Sequence, residues 1–149
     1  MDTTVLQAGE GRVIHIGPIR VTVLEDGSST RGTMAIAEFA FPPHSPSPAP
    51  HVHHAHEEGF YVLEGNLEFK VNGETIHAGA GSFVMVPIGV AHTFSNPTDH
   101  PARFLNTFTP PQYIHYFEEM STLVAKSGPP TPEQARAIMA HYDTEVVLP

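Results

Sequence analysis

The fold is decided by the stretch HVHHAHEEGFYVLEGNLEFKVNGETIHAGAGSFVMVPIGVAHTFSN, which occupies residues 51–96. Short runs rich in valine, isoleucine, phenylalanine, tyrosine and threonine alternate in it with turn residues. Asn72-Gly73 is a pair that tolerates the positive φ angles of a two-residue hairpin turn, so residues 67–71 and 74–78 are expected to pair. Gly65-Asn66 indicates a second tight connection between strands. The stretch is therefore predicted to be antiparallel β-structure.

Similar runs extend on both sides of this stretch and recur about every ten residues, which is typical of a β-sandwich or β-barrel. The predicted strands are residues 13–16, 19–24, 33–41, 58–63, 67–71, 75–78, 82–86, 92–95 and 102–109. A chain of 149 residues corresponds to about one domain. We therefore expect a single all-β domain over residues 1–149, with a barrel over about 12–110 and a short helical tail over about 110–143.

The tail changes from strand to helix periodicity after residue 110, because its apolar side chains recur at helical spacing over residues 113–124. Residues 109–112 have the form of a capping box, and Gly128 follows as a stop signal. Residues 131–134 repeat the capping form and predict a second helix over about 132–142. Residues 145–148 are a candidate last strand. These helices are expected to pack on the barrel, since neither could bury its apolar stripe alone.

The composition excludes several classes of function. There is no cysteine, which excludes disulfides, zinc fingers and iron–sulfur clusters. Seven basic against 16 acidic residues give a formal net charge of −9, so the chain lacks the basic surface of nucleic-acid-binding and anionic-membrane-binding proteins. No targeting signal or membrane-length apolar run is evident, and we expect a cytoplasmic protein. Eleven histidines remain to be explained.

Four of those histidines lie within residues 51–56, next to two glutamates. On a strand, His51 and His53 point to the same face at roughly 7 Å spacing, so both imidazoles can converge on one cation. Glu57 or Glu58 can join them if the chain turns. The tract is equally compatible with a loose, adventitious metal-binding loop. Two further histidines are treated as neighbours of the site rather than as ligands: His54 and His56.

The segment before this cluster, residues 41–50, holds five prolines. Proline cannot donate to a sheet ladder, so the segment is predicted to be a stiff, extended connection. It is either a surface linker or a fixed wall at the mouth of a pocket, and both interpretations stay open.

Two spaced motifs identify a resemblance to the cupin superfamily. They are His51-x-His53-x4-Glu58-x6-Gly65 and Gly81-x5-Pro87-x-Gly89-x2-His92-x3-Asn96. The resemblance is strongest over residues 50–110. It implies a conical jelly-roll barrel that holds a metal ion, and by position the implied ligands are His51, His53, Glu58 and His92. The spacing to Gly65 favours Glu58 over Glu57.

Three neutral imidazoles and one carboxylate suit a divalent transition metal, namely Fe, Mn, Ni, Co, Cu or Zn. Such a set leaves one or two coordination positions for a substrate or for O₂. Strand parity places four phenylalanines in the barrel interior, Phe60, Phe94, Phe104 and Phe108, and an aromatic-walled cavity suits a planar, apolar small-molecule substrate. The predicted pocket residues are Phe41, Phe60, Phe94, Phe104 and Phe108. The opposite parity on the last barrel strand would instead turn Arg103, Leu105 and Thr107 inward.

Among small cupins, the sequence is similar to quercetin 2,3-dioxygenase-like proteins. The resemblance implies O₂-dependent cleavage of an enol-bearing, flavonol-like aromatic or of a 1,3-diketone, with Glu58 as metal ligand and general base. Two alternatives remain: a non-oxidative metal-dependent isomerase, lyase or polyketide cyclase, and a non-catalytic small-molecule-binding protein. We also expect a homodimer formed through the N-terminal strands at residues 13–24, because an unpaired edge there would be prone to aggregation.

Overall fold

The computed structural model describes residues 2–147, in which eleven strands form two antiparallel sheets around one hydrophobic core. The first sheet has the order β1-β2-β3-β10-β5-β8 and the second the order β11-β4-β9-β6-β7. The strands are β1 (Arg12–Ile16), β2 (Ile19–Glu25), β3 (Ala35–Phe41), β4 (His51–His53), β5 (Glu57–Glu64), β6 (Asn66–Val71), β7 (Glu74–Gly79), β8 (Phe83–Val86), β9 (His92–Ser95), β10 (Ala102–Thr109) and β11 (Thr144–Val146). From β3 to β10 the chain passes repeatedly between the sheets, which confirms the predicted all-β jelly roll.

Alternation of buried and outward side chains defines the interior of the barrel. On β10, which lies between β3 and β5, the buried residues are Ala102, Phe104, Asn106 and Phe108. The opposite set faces outward: the Arg103 guanidinium pairs with Glu38 at 2.6 Å and with a second carboxylate from β5 at 2.8 Å. Phe104 and Phe108 therefore face the interior of the barrel, and Arg103 lies on its outer face.

The β6–β7 hairpin forms as predicted. Asn72 and Gly73 have φ angles of 50° and 83°, as a type I′ turn requires. Val71 pairs with Glu74 directly across the turn. The register places Leu67 and Phe69 on the buried face.

The first helix begins differently from the prediction. A 3₁₀ turn at Pro111–Tyr113 leads into α1 at Ile114–Ser127, and neither start has a side-chain cap. The predicted capping box at residues 109–112 is wrong, because Thr109 is still paired with Glu57 as the last residue of β10. Its hydroxyl approaches the Glu57 carboxylate at 3.3 Å instead of a helix N–H group. The predicted stop is confirmed, since Gly128 ends α1 with φ of 75°.

The second helix has the predicted cap. In α2, at Pro132–Ala140, the Thr131 hydroxyl accepts from the Gln134 backbone N–H at 3.1 Å, and the Gln134 side chain accepts in return at 2.9 Å. The helix ends two residues before the predicted position 142. The last strand, β11, begins one residue earlier than predicted, and Leu148 lies outside the described residues. Within residues 2–147, neither helix has the length and hydrophobicity needed to span a membrane.

Gly65 connects β5 to β6 at a point where the backbone of the neighbouring loop approaches closely. A Cβ atom at this position would lie 2.5 Å from the Pro101 carbonyl oxygen, and φ is +77°. At Gly73 φ is similar, +83°, but nothing lies within 4 Å of the added atom. The positive φ and the close approach of the Pro101 carbonyl oxygen together explain why the first motif ends in glycine at position 65.

We expect Gly65→Ala to lower the free energy of unfolding by about 2 kcal/mol, against about 1 kcal/mol for Gly73→Ala. The matched pair separates backbone strain, which both variants share, from the clash with Pro101, which only the first suffers. Chemical denaturation measures both values. Equal losses in the two variants would show that the close approach at Gly65 has no energetic effect.

Candidate metal centre

Four buried side chains from three strands meet inside the barrel. His51 and His53 lie on β4, Glu58 on β5 and His92 on β9, and each is 4% exposed or less. Residues 51 and 53 share a face because they are two apart on one strand. Antiparallel pairing of β4 with β9 sets His51 directly opposite His92. Glu58 reaches the same point from the other sheet.

The donor atoms of these residues form two overlapping groups that share His53, one with His51 and His92 and one with Glu58 and His56. Glu58 Oε2 lies 3.2 Å from His53 Nε2 and 3.1 Å from His92 Nε2. One ring nitrogen from each of the three imidazoles lies within 4.8 Å of the other two. His53 Nε2 is buried without a hydrogen-bond partner. A nitrogen in that position requires a partner, and the borderline N/O donor set fits a divalent transition metal.

The second nitrogen of each ring is held from outside the cluster. His51 Nδ1 lies 2.7 Å from the Ala49 carbonyl oxygen, so the proline-rich segment orients this ring. His92 Nδ1 lies 3.1 Å from a carbonyl oxygen two residues before it, and His53 Nδ1 lies 2.8 Å from Thr144 Oγ1. Hydrogen bonds of this kind fix the tautomer and the orientation of metal-ligating imidazoles. Each ring is thereby set to direct Nε2 into the cluster.

The protonation states match those that metal ligation requires. Burial lowers the pKa of His51 to about 3, and repulsion from the neighbouring imidazoles adds to this effect. Burial also lowers the pKa of His53. Burial alone would raise the pKa of Glu58, but the imidazoles around its carboxylate outweigh burial and hold that pKa well below its usual range. Near neutral pH the cluster therefore offers an ionised carboxylate and the neutral imidazoles of His51 and His53, as metal ligation requires.

The metal-free protein is expected to lose stability as the pH falls from about 6.5 toward about 3. Folded His51 stays neutral down to about pH 3, whereas its reference pKa is 6.5. The unfolded state therefore binds more protons across this window, so acid favours unfolding. The depressed pKa of Glu58 acts in the same direction at lower pH.

Urea unfolding at a series of pH values measures this effect. His51→Gln should flatten the dependence of unfolding free energy on pH, while His54→Gln should retain it, because the His54 side chain is 52% exposed. The same slope in His51→Gln and in the unaltered protein would contradict the expectation.

The other acidic and histidine candidates are placed differently. Glu57 is exposed and its carboxylate approaches the Thr109 hydroxyl. His54 points outward, where it meets Glu145 at 3.1 Å. The geometry thus brings Glu58, rather than Glu57, to the imidazoles. His56 is buried beside the cluster.

The five predicted pocket phenylalanines divide into two groups. Four of them, Phe41, Phe60, Phe94 and Phe104, contact one another with ring centroids 5.1–5.9 Å apart. Phe108 lies apart from them, near the metal-binding end, with its ring 6.1 Å from Tyr113. The site is therefore flanked by an aromatic cluster on one side and by the tail on the other.

Two residues of the tail reach the site and were not found from the sequence: Tyr113 and Thr144. The Tyr113 ring lies 4.5 Å from the ring of His53 and stacks on Tyr116. Burial raises the pKa of Tyr113 well above its usual value, and repulsion from Tyr116 and Glu58 adds to it. Tyr113 is therefore a neutral phenol that covers the cluster.

Residues 37–108 match the family model described as a cupin domain. The fold is similar to that of a protein from Thermotoga maritima described as a predicted oxalate decarboxylase, with a TM-score of 0.66 and 22% identity, covering 72% of this chain and 99% of that one. Residues 37–108 are therefore similar to cupin domains, and the jelly-roll fold is shared with this structure. The fold also resembles that of polyketide cyclase RemF from Streptomyces resistomycificus, with a TM-score of 0.62 and 23% identity over 72% of this chain and 80% of that one. At these identities both structures show a shared fold.

Two curated relatives match parts of the chain at higher sequence identity. Polyketide synthase CurC of Streptomyces cyaneus is 40% identical over 60 residues, which cover 40% of this chain and 39% of CurC. Quercetin 2,3-dioxygenase of Bacillus subtilis is 32% identical over 89 residues, which cover 60% of this chain and 26% of the dioxygenase. The chain therefore spans well under two thirds of the length of either relative.

Proposed function

We propose that this protein is a metal-dependent dioxygenase of the cupin type that acts on a small enol-bearing aromatic of the flavonol class or on a 1,3-diketone. The observation that carries the proposal is the buried cluster of His51, His53, His92 and Glu58, in which one carboxylate oxygen lies 3.2 Å from His53 Nε2 and 3.1 Å from His92 Nε2. Partial similarity to quercetin 2,3-dioxygenase over 89 residues supports the substrate class. The same four side chains are the proposed metal ligands.

The donor set is compatible with Fe, Mn, Ni, Co, Cu or Zn. When bound, such an ion would supply Lewis-acid polarisation of the enol oxygen or, for the redox-active metals, a site for O₂. Glu58 is the proposed general base. Its Oε2 faces two imidazoles, whereas Oε1 lies farther from the nearest ring, at 3.6 Å from His56. Oε1 is therefore the oxygen that we expect to hold the enol proton.

The aromatic side chains have a binding and shielding role in this proposal. The rings of Phe60, Phe94 and Phe104 form an apolar interior beside the cluster, and Phe60 lies 6.4 Å from His92. Such a wall favours a planar substrate and keeps water from the reacting carbon. Tyr113 closes the opposite side.

The proposal predicts O₂ uptake that depends on both the metal and a flavonol. The protein is freed of metal, reloaded separately with Fe, Mn, Ni and Co, and supplied with flavonol in an oxygen-electrode cell. We expect uptake with at least one metal and incorporation of ¹⁸O from labelled O₂ into the product. No uptake with any of the four would reject this substrate class, and metal-free protein provides the background.

A second function is favoured by the 40% identity to part of CurC. In this alternative, the same centre catalyses a non-oxidative cyclisation of a polyketide, with Glu58 removing a proton from a carbon between two carbonyls. Polyketides have enolisable carbonyl groups and flavonols carry an enol oxygen, so the site suits either. Cyclisation would proceed under nitrogen with Zn bound, and its product would contain no oxygen from O₂.

A further inference from the structure

His56 lies beside the metal cluster in the short connection between β4 and β5, and it is 3% exposed. Its ring centroid is 4.1 Å from that of His53, which is closer than any other imidazole pair described in the cluster. Its other face is covered by Tyr113 at 4.7 Å. His56 is therefore part of the interior of the site, unlike its exposed neighbour His54.

The Nε2 atom of His56 has no hydrogen-bond partner. Across residues 2–147, buried side-chain nitrogen or oxygen atoms lack a partner at two positions, His53 Nε2 and His56 Nε2. Both point to the Glu58 carboxylate, His53 at 3.2 Å and His56 at 3.6 Å, without forming a hydrogen bond. Buried polar atoms are nearly always paired. An ion held by His51, His53, Glu58 and His92 alone would satisfy the first atom and leave the second unpaired.

We propose that His56 is a fifth protein donor to the metal; this inference rests on the proposed metal-dependent function. The donor atoms of His53, His56 and Glu58 all lie within 4.8 Å of one another. Ligands at about 2.1 Å from a shared ion stand about 3–4 Å apart. The two Glu58 oxygens face different imidazoles, Oε2 toward His53 and Oε1 toward His56. An ion that contacts this carboxylate is thus placed within reach of both unpaired nitrogens.

A fifth donor changes how the substrate is held. Five protein ligands leave one position on a six-coordinate ion. The substrate then binds through a single enolate oxygen and does not chelate the metal through two adjacent oxygens. Orientation of the rest of the molecule falls to the aromatic walls. In this arrangement Phe60, Phe94 and Phe104 select the substrate, and the metal contacts only one substrate oxygen.

The test compares His56→Ala with His54→Ala in the full chain loaded with Co(II). X-ray absorption spectroscopy counts the imidazoles around the ion, and calorimetry measures the dissociation constant. We expect four imidazoles in the unaltered protein and in His54→Ala, and three in His56→Ala. Loss of the donor should weaken Co(II) binding at least about 10-fold. His56→Gln, which preserves size, should also show three imidazoles and serves if the alanine variant does not fold.

Three imidazoles in the unaltered protein, unchanged in His56→Ala, would overturn this inference and leave the proposed centre intact. Failure of the proposed function has a different signature, since the unaltered protein would then bind no Co(II), or His51→Ala would bind it as well as the unaltered chain does. Neither readout requires turnover.

Discussion

Replacing Glu58 with glutamine is expected to lower flavonol-dependent O₂ uptake by about 10²- to 10⁴-fold, the range typical for loss of a positioned general base. The carboxylate is buried against two imidazoles, and its pKa lies well below its usual range, so it is ionised and able to receive a proton. Glutamine keeps the shape and one oxygen that can contact a metal, but it cannot accept the enol proton. Initial rates are measured at equal metal content, so that loss of metal is not mistaken for loss of the base.

Glu57→Gln provides the matched control. Glu57 directly precedes Glu58 in the sequence, and its substitution removes the same charge from an exposed position. Its rate should equal that of the unaltered protein. A Glu58→Gln variant that retains metal and reacts at the unaltered rate would show that the proton is taken elsewhere. A variant that loses its metal would assign Glu58 to ligation, and the rate of the remaining holoenzyme then reports on the base.

The parts of the site that were predictable from sequence depend on local patterns. Alternation along a strand places His51 and His53 on one face, and the turn at Pro87 and Gly89 determines where His92 begins its strand. The jelly roll follows from many short strands with turns between them. These signals need no knowledge of distant residues, because each is expressed within about ten positions of the chain.

The rest depends on contacts between distant segments. Thr144 is 91 residues from the imidazole that it holds, and nothing near position 144 marks it as part of a site. The prediction at Thr109 failed for a related reason, since pairing with Glu57 keeps the residue extended where a local pattern indicated a helix cap. His56 is buried by Tyr113 from the tail, so its exposure could not be judged from the neighbouring residues of the sequence alone.

Thr144→Val is expected to weaken metal binding by about 10- to 100-fold, as is typical when the hydrogen-bond partner of a metal-ligating histidine is removed. The Thr144 hydroxyl donates to the Tyr142 carbonyl oxygen at 3.1 Å. Its single proton is thereby used, so it accepts from the Nδ1–H group of His53 at 2.8 Å. This arrangement places the lone pair of His53 on Nε2, inside the cluster. Valine has the same shape but leaves Nδ1–H buried and unpaired.

Thr144→Ser separates the hydroxyl from packing, because serine retains the oxygen and loses a methyl group. Calorimetric titration with Zn or Co(II) should give a near-unaltered dissociation constant for serine and a weakened one for valine. Equal affinities in the valine variant and the unaltered protein would show that the hydroxyl does not orient His53. The partners of the other two rings are backbone carbonyls, which no substitution removes directly.

Thr144 also lies on β11, paired with β4 across from His53. Because linkage is reciprocal, a metal ion that favours the oriented His53 ring also favours docking of β11, so bound metal should protect the tail from hydrogen exchange in the threonine protein more than in the valine variant.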